Sequence, residues 1–533
     1  MQINITRSAG FKTSTRIFVM PKWEKLIYYT LMVFSTVVGI YELNVFRNYM
    51  VDDAFISLRY VRNALEGHGL VYNIGEKVEG FTSPLYILLT YILGRFGLDL
   101  VLSSKILGVM SFLLILAFLG IWGSIKRIRQ FLDLPSLTVT FSIIATSFSL
   151  TFFAITGMET VIFSFLTLLV FLDATRSEIT FRSICLIFIA FLCRPEGIIF
   201  LPWIMLAIFL IRRSDTRISD TSSKRTLNFK RSEILAVGVL FLAVAIFEFV
   251  RWMYYGEIFP NTFFAKAPWT MDSGTAHWSL KGVGSITYFF SASGGVLGIV
   301  LFLAAIFRKD NSRGILLMVC ALTASLVFFQ KYAGSDWMIG SRYFIPALPV
   351  WAIGLGVSLT ALNILKPLLP LWRSTAVSGT VFMIAIMNFS DTTQFLRNIQ
   401  SYPNNVQTSI GLGDIGSWIK QNVPQDYRVK NWRIGAIGYY CDNAIIDTWG
   451  LVDKEVGRIR FRASSQEDGT RRVEKHVEKV KPEIMITKLT KGGETNEKGY
   501  HLIHEGRNGG EVLGVWIRND LVSTIKLQSP STN

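Results

Sequence analysis

Repeated apolar runs, each close to the length of a bilayer, constrain this chain more than any other feature. A hydrocarbon core of about 30 Å takes roughly 20 apolar residues as a helix. Runs of that order stand at 26–46, 101–123, 136–154, 158–174, 179–194, 196–212, 233–255, 283–307, 314–332, 343–363 and 374–390. Inside lipid a backbone must satisfy its own hydrogen bonds, so each run is expected as a helix. The fold class that follows is a polytopic α-helical membrane protein. Another run, 84–97, is short and opens with Pro84. It is expected to lie along the membrane interface.

Charge placement sets the topology. Arg7, Lys12, Arg16, Lys22 and Lys25 precede the first run and put segment 1–25 in the cytoplasm. With 84–97 left out of the bilayer, the loops returning to that side carry Lys126, Arg127 and Arg129, the cluster from Arg212 to Arg231, Arg308, Lys309 and Arg313. The opposite loops are poor in Lys and Arg. If 84–97 spanned, every later loop would change sides and the bias would be lost. The reading is therefore about 11 transmembrane helices, with the first loop, 47–100, and the C-terminus outside. The net charge of +16 is then a property of membrane topology, and nucleic acid is not an expected partner. The first run is too long for a signal-peptide core and lacks a small-residue cleavage site, so it reads as a retained helix.

The transmembrane domain covers 26–400. From 401 to 533 the sequence is polar and mixed. WRIGAIGYY, NAIIDTWG, EIMITKL and GVWIRND read as strands, and VEKHVEKV as a helix. This is a small extracytoplasmic α/β domain. Its glycines form no nucleotide-binding fingerprint. The four cysteines suggest no disulfide framework, and the five histidines show no zinc spacing. No internal repeat is evident, and 214–232 reads as a hydrophilic cytoplasmic loop.

Loop 47–100 holds the polar stretch VDDAFISLRYVRNALEGHGLVYNIGEKVEGFTSPLY. Phe55, Leu58, Val61 and Leu65 recur at helical spacing, giving an amphipathic interfacial helix ended by Gly67. Its polar face carries Asp52, Arg59 and Asn63. Asp52 and Asp53 fit a helix N-cap, because a carboxylate accepts orphan backbone N–H groups. They also fit a catalytic pair, one capping while the other faces a cavity. The outer loops contribute further polar residues: Glu79 and Thr82, Glu159 in TGMET, Arg194 and Glu196 in RPEG, Asn261 and Lys266 in YYGEIFPNTFFAKA, and Asp336, Trp337 and Arg342 in GSDWMIGSRYFIPALP. Singly, these are structural pairs, Arg194 with Glu159 or Glu196 being the obvious one. The topology collects all of them on one face, which favours a shared site. Carboxylates supply a general base there, and Arg and Lys stabilise a departing phosphate.

These stretches resemble bacterial GT-C membrane glycosyltransferases of the terminal β-arabinofuranosyltransferase (AftB-like) type and the related LphB-like proteins. The similarity runs from the first-loop pattern through TGMET, RPEG and YYGEIFPNTFFAKA to GSDWM–SRYFIPALP and GAIGYYCDNAIIDTWGLVD. It implies an inverting transferase in the bacterial inner membrane. Its donor is a sugar on polyprenyl phosphate, arabinofuranose or another pentose, and its acceptor an extracytoplasmic glycan, lipid glycan or protein. It also implies a catalytic Asp at Asp53 or Asp52, with Asp53 preferred. Arg59, Lys266 and Arg342 are then candidates for the donor phosphate. Glu79, Thr82, Glu159, Arg194, Glu196, Asn261, Asp336 and Trp337 are candidates for substrate binding. No cofactor is assigned; a divalent cation would need several converging oxygens. The reading from another class is a transporter or flippase for a lipid-linked sugar, which predicts mid-helix polar residues and repeat symmetry.

Overall fold

The structure, a computed structural model, describes residues 20–122, 131–176, 178–215, 229–266, 289, 295–308, 312–333, 338, 342–401, 409–489, 497–508 and 510–525. The chain is a polytopic helical membrane protein carrying a small mixed sheet near its C-terminus. In order, its first helices are α1 (Lys22–Val45), α2 (Asp52–Leu65), α3 (Pro84–Arg95), α4 (Leu100–Trp122), α5 (Leu134–Ala145) and α6 (Phe148–Ile155). They are followed by α7 (Thr160–Ala174), α8 (Phe181–Cys193), α9 (Phe200–Asp215), α10 (Arg231–Tyr255) and α11 (Asn261–Lys266). The rest of the helical domain is α12 (Gly295–Ile306), α13 (Ser312–Ala333), α14 (Leu348–Ala361) and α15 (Pro370–Ser401).

On length and composition, α1, Leu100–Ile121 of α4, and α10 are able to cross a membrane. The expected single span 136–154 is instead a pair, α5 and α6, bent by 46°. The break has a local cause. Thr146 ends α5 by turning its hydroxyl onto Ser142 O (2.9 Å), and Ser147 accepts from Leu150 N to start α6. Of the remaining expected spans, 158–174, 179–194, 196–212, 314–332 and 343–363 appear as shorter apolar helices, and 283–307 is described only at 289 and 295–307. Between α8 and α9, Arg194–Pro195 forces a break, and Pro195–Ile199 forms a single 3-10 turn. Helix α3 has 12 residues, about 18 Å at 1.5 Å per residue, too short to span. Helix α15 has 32 residues and is about 48 Å long, so the expected span 374–390 covers only its middle. Most of the loop 214–232 lies outside the described residues.

Close packing holds the first helices together. A Cβ added to Gly39 of α1 would lie 2.2 Å from Ala145 O, and one on Gly108 of α4 would lie 2.1 Å from Ala154 O. Glycine is the residue that lets these backbones meet. Two polar contacts pin α1 further. Arg373 donates to both oxygens of Glu24, at 2.6 and 2.7 Å, with both side chains buried. Nearer the other end, Thr151 of α6 and Thr392 of α15 donate to Glu42 at 2.9 and 3.2 Å. By contrast α10 is mostly exposed, showing Leu235, Phe241, Leu242 and Phe249, as suits a helix facing lipid.

The C-terminal domain begins with α16 (Ser409–Asn422). Its sheet has strands β1 (Val429–Asn431), β2 (Ile445–Asp447), β3 (Ile484–Lys488), β4 (Tyr500–Asn508) and β5 (Glu511–Arg518), in the order β2-β1-β3-β5-β4. β1 runs parallel to β2 and β3, and β5 antiparallel to β3 and β4. Helices α17 (Ala436–Tyr440), α18 (Lys454–Phe461) and α19 (Gln466–Val480) complete it. VEKHVEKV lies in α19, and NAIIDTWG, EIMITKL and GVWIRND each contain a strand, as the pattern predicts. WRIGAIGYY is not a strand: β1 ends before it, and 436–440 form one helical turn.

Candidate active site

The first loop organises the outer end of the molecule. Helix α2 forms as the spacing predicts, and Gly67 follows it at φ 85°. The expected self-cap does not occur: the N-cap position is Val51, which offers no side-chain bond. Asp52 caps a different helix. Its carboxylate accepts from Gly435 N at 3.0 Å and from Ala436 N at 2.7 Å, where α17 begins. Those amides are orphan donors of a helix start and need an acceptor. Asp52 is buried, and burial raises its pKa from 3.8 to about 6 against the pull of the two amides. The charge of neighbouring Asp53 adds to the rise. Asp53 is only partly buried.

The rest of the polar face of α2 is covered partly by the C-terminal domain and partly by the loop's own residues 71–72, to which Asn63 donates. Arg59 donates from Nε to Tyr72 O (2.8 Å), from Nη1 to Gly438 O (2.6 Å) and from Nη2 to Asn443 O (2.8 Å). Its guanidinium also lies 4.4 Å from the Tyr72 ring centroid. Tyr72 donates to Ile434 O. Asn73 exchanges two bonds with Ile445, at 3.0 and 2.9 Å, as a neighbouring strand would. A Cβ on Gly438 would lie 2.0 Å from Tyr72 Oη, and one on Gly435 1.8 Å from Asp52 O. The glycines of GAIG therefore serve close approach to this loop. That approach, with Asp52 at the amides of 435 and 436, is why WRIGAIGYY does not continue as a strand.

The loop's second half meets α10. Glu79 is buried, with Arg251 Nε 3.2 Å from its carboxylate and Glu248 2.8 Å from the same guanidinium. Burial outweighs Arg251 and raises the pKa of Glu79 from 4.5 to about 7, with Glu248 adding to the rise. Asn261 donates to Gly450 O (2.7 Å) and Asp453 O (2.9 Å), again binding the C-terminal domain. Thr82 is half-buried nearby in the sequence.

A second group centres on Arg194. It donates from Nη1 to Glu159 at 2.9 Å and from Nε to Glu196 at 2.6 Å. The Arg194 and Arg342 guanidiniums lie 5.7 and 5.2 Å from the ring centroid of Tyr343. This group adjoins the first loop, because Val51 N donates to Thr156 O (3.2 Å) and Tyr86 donates to Gly157 O (2.5 Å). Glu159, Arg194, Glu196 and Arg342 thus stand together, beside the turn that leads into Asp52–Asp53. Arg59 departs from the expected phosphate role, since all three of its donor nitrogens serve backbone carbonyls. Lys266 ends α11, and its side chain lies outside the described residues, as do Asp336 and Trp337.

Among the described residues, no three His, Cys, Asp or Glu stand together as a metal site. Sequence reasoning missed Tyr72, Asn73, Arg251 and Asp447. Asp447 was legible in principle: an Asp closing an apolar strand before Thr-Trp-Gly signals a side-chain-built turn. Nothing in the sequence marks Tyr72 or Asn73 as partners of residues 434 and 445.

Comparison with known proteins bears on this arrangement. A family model described as Domain of unknown function (DUF8728) matches residues 397–522. A terminal beta-(1->2)-arabinofuranosyltransferase of Mycobacterium tuberculosis is 29% identical over 252 residues, which is 44% of this chain and 36% of the relative. The match thus spans about a third of that relative's length. Crystal structures of ArnT from Cupriavidus metallidurans, bound to undecaprenyl phosphate and in the apo state, superpose with TM-scores of 0.56 and 0.55 at 13% identity. Each covers 91% of this chain and 97% of ArnT. The Archaeoglobus fulgidus oligosaccharyltransferase, in complex with Zn and sulfate, gives 0.50 at 12% identity, covering 86% of this chain and 68% of that one. The fold is that of the GT-C membrane glycosyltransferases.

Proposed function

We propose that the chain is an inverting glycosyltransferase of the inner membrane. It moves a pentose, arabinofuranose in the reading favoured, from polyprenyl phosphate to an extracytoplasmic glycan. The observation that carries this is the division of labour between adjacent aspartates. Asp52 is committed to two backbone amides of the C-terminal domain, and Asp53 stands next to it on the first turn of the same outer helix. The arabinofuranosyltransferase relative and the ArnT fold bound to undecaprenyl phosphate support the substrate class.

In this reading Asp53 takes the proton of the acceptor hydroxyl as its oxygen attacks the anomeric carbon. The bond to the lipid phosphate breaks on the opposite face, and the phosphate leaves carrying the electron pair. Arg342 meets the developing charge. Arg194, held by Glu159 and Glu196, keeps that wall rigid. Arg59 is assigned to domain docking.

The test is turnover of a polyprenyl-phosphoryl pentose by purified wild type and Asp53→Asn protein. Loss of a general base costs about 10²–10⁴-fold in kcat, with little change in donor KM. Full activity in Asp53→Asn rejects the assignment. A flippase would move the donor between leaflets and yield no glycosyl product with wild-type protein.

A further inference from the structure

The ends of β1 and β2 are built alike. Asn431 and Asp447, paired in register at the carboxyl ends of these parallel strands, are both buried. Each folds the following turn with its own side chain. Asn431 Oδ1 accepts from Trp432 N (2.8 Å) and Arg433 N (3.2 Å). Asp447 accepts from Trp449 N (2.8 Å), Leu451 N (2.5 Å) and Val452 N (3.0 Å). Each turn presents a tryptophan, and Trp432 and Trp449 are both 39% exposed. A buried arginine backs each ring: Arg433 at 4.4 Å from Trp432, and Arg460 at 4.9 Å from Trp449.

Position decides what such a pair is for. The carboxyl ends of parallel strands are where open α/β sheets take ligands. Both turns also touch the first loop. Gly435, three residues past Trp432 and so within about 10 Å of chain, binds Asp52. Gly450, next to Trp449, binds Asn261, and Leu451–Val452 pack on Gly80. Rigid, half-exposed indoles stack on the apolar faces of sugar rings at small entropic cost.

We propose that Trp432 and Trp449 form a platform for the saccharide chain of the acceptor, beside Asp53. This rests on the transferase reading above but is tested apart from it. Full-length protein in nanodiscs, carrying Asp53→Asn to prevent turnover, is titrated calorimetrically with linear arabinan fragments and, in a second arm, mannan fragments. One fragment class binds saturably. Trp432→Ala and Trp449→Ala each weaken binding about tenfold, and Trp432→Tyr restores most of it. With Asp53 intact, the alanine variants raise the KM for the oligosaccharide acceptor while donor hydrolysis by water is unchanged. Two results overturn the proposal: no fragment binding to the protein with both tryptophans intact, or undiminished binding by the double alanine variant, as expected if the rings seat in lipid headgroups. Binding without sugar transfer by wild type leaves the platform standing and removes the donor reading.

Discussion

Asp52 and Glu79 show how burial and partners divide the work of carboxylates at this site. Both are buried and both have raised pKa values, to about 6 and about 7, yet their partners differ. Asp52 faces two neutral amides, whose N–H groups donate to it and favour its charged form without supplying a countercharge. Glu79 faces Arg251, so its ion pair exists only when it is ionised. A carboxylate with a raised folded pKa contributes stability that is present in full below its unfolded pKa, here 4.5, and lost as pH rises through about 7. Glu79→Gln should therefore flatten the fall of the unfolding midpoint between those pH values. Thermal unfolding in detergent across that window measures it, and parallel curves for wild type and Glu79→Gln would refute the assignment. At this scale the sequence singled out Asp52 and Glu79, both of which are buried, but not the groups they meet. Asp52–Asp53 reads as a cap, which it is, though the capped helix starts at residue 436.

At the level of elements, α2 is held as much by another domain as by its own apolar face. Phe55, Leu58 and Val61 are buried as their spacing predicts, but Arg59, Asn63 and Asp52 are buried too. An amphipathic pattern distinguishes two faces without saying what covers the polar one. Here the cover is a set of backbone carbonyls and amides, which leave no pattern in sequence. Arg59 reaches three of the carbonyls because a guanidinium presents its donors as a planar fork. Arg59→Lys keeps the charge and loses that geometry, leaving carbonyls buried without donors at about 1–3 kcal/mol each. The expected result is faster amide exchange in both 52–65 and 434–445, with the helices of the bundle unaffected. Exchange confined to one of the two segments would contradict the coupling. The misread stretch WRIGAIGYY has the same origin. Its alternating apolar residues suggest a strand, and the glycines that prevent one are needed by Tyr72 and Asp52.

For the whole molecule, hydropathy and charge bias carried the polytopic helical class, because lipid permits few alternatives to a helix. What they did not carry was continuity. The run 136–154 is uniformly apolar, and its break depends on two hydroxyl contacts at Thr146 and Ser147. Closure of the bundle was also hidden. Glu24 and Arg373 are 349 residues apart and join the first helix to α15. Removing one partner strands the other charge, costing about 3–5 kcal/mol. Glu24→Gln should therefore lower the unfolding midpoint in detergent, and Glu24→Leu with Arg373→Met should restore much of it. An additive double variant would mean that the two helices are held by other contacts.

The docking of α2 also sets a schedule for making the protein. Residues 52–65 leave the ribosome early, but two of the carbonyls that seat Arg59 belong to residues 438 and 443, 379 and 384 positions later. Until that later segment has been made and folded, Asp52 lacks its two amides and Arg59 has only Tyr72 O. Such long-range closures form slowly and late. A nascent chain carrying every membrane helix therefore still holds Asp52 unseated. Seating of α2 waits on residues 434–445, which act as its latch.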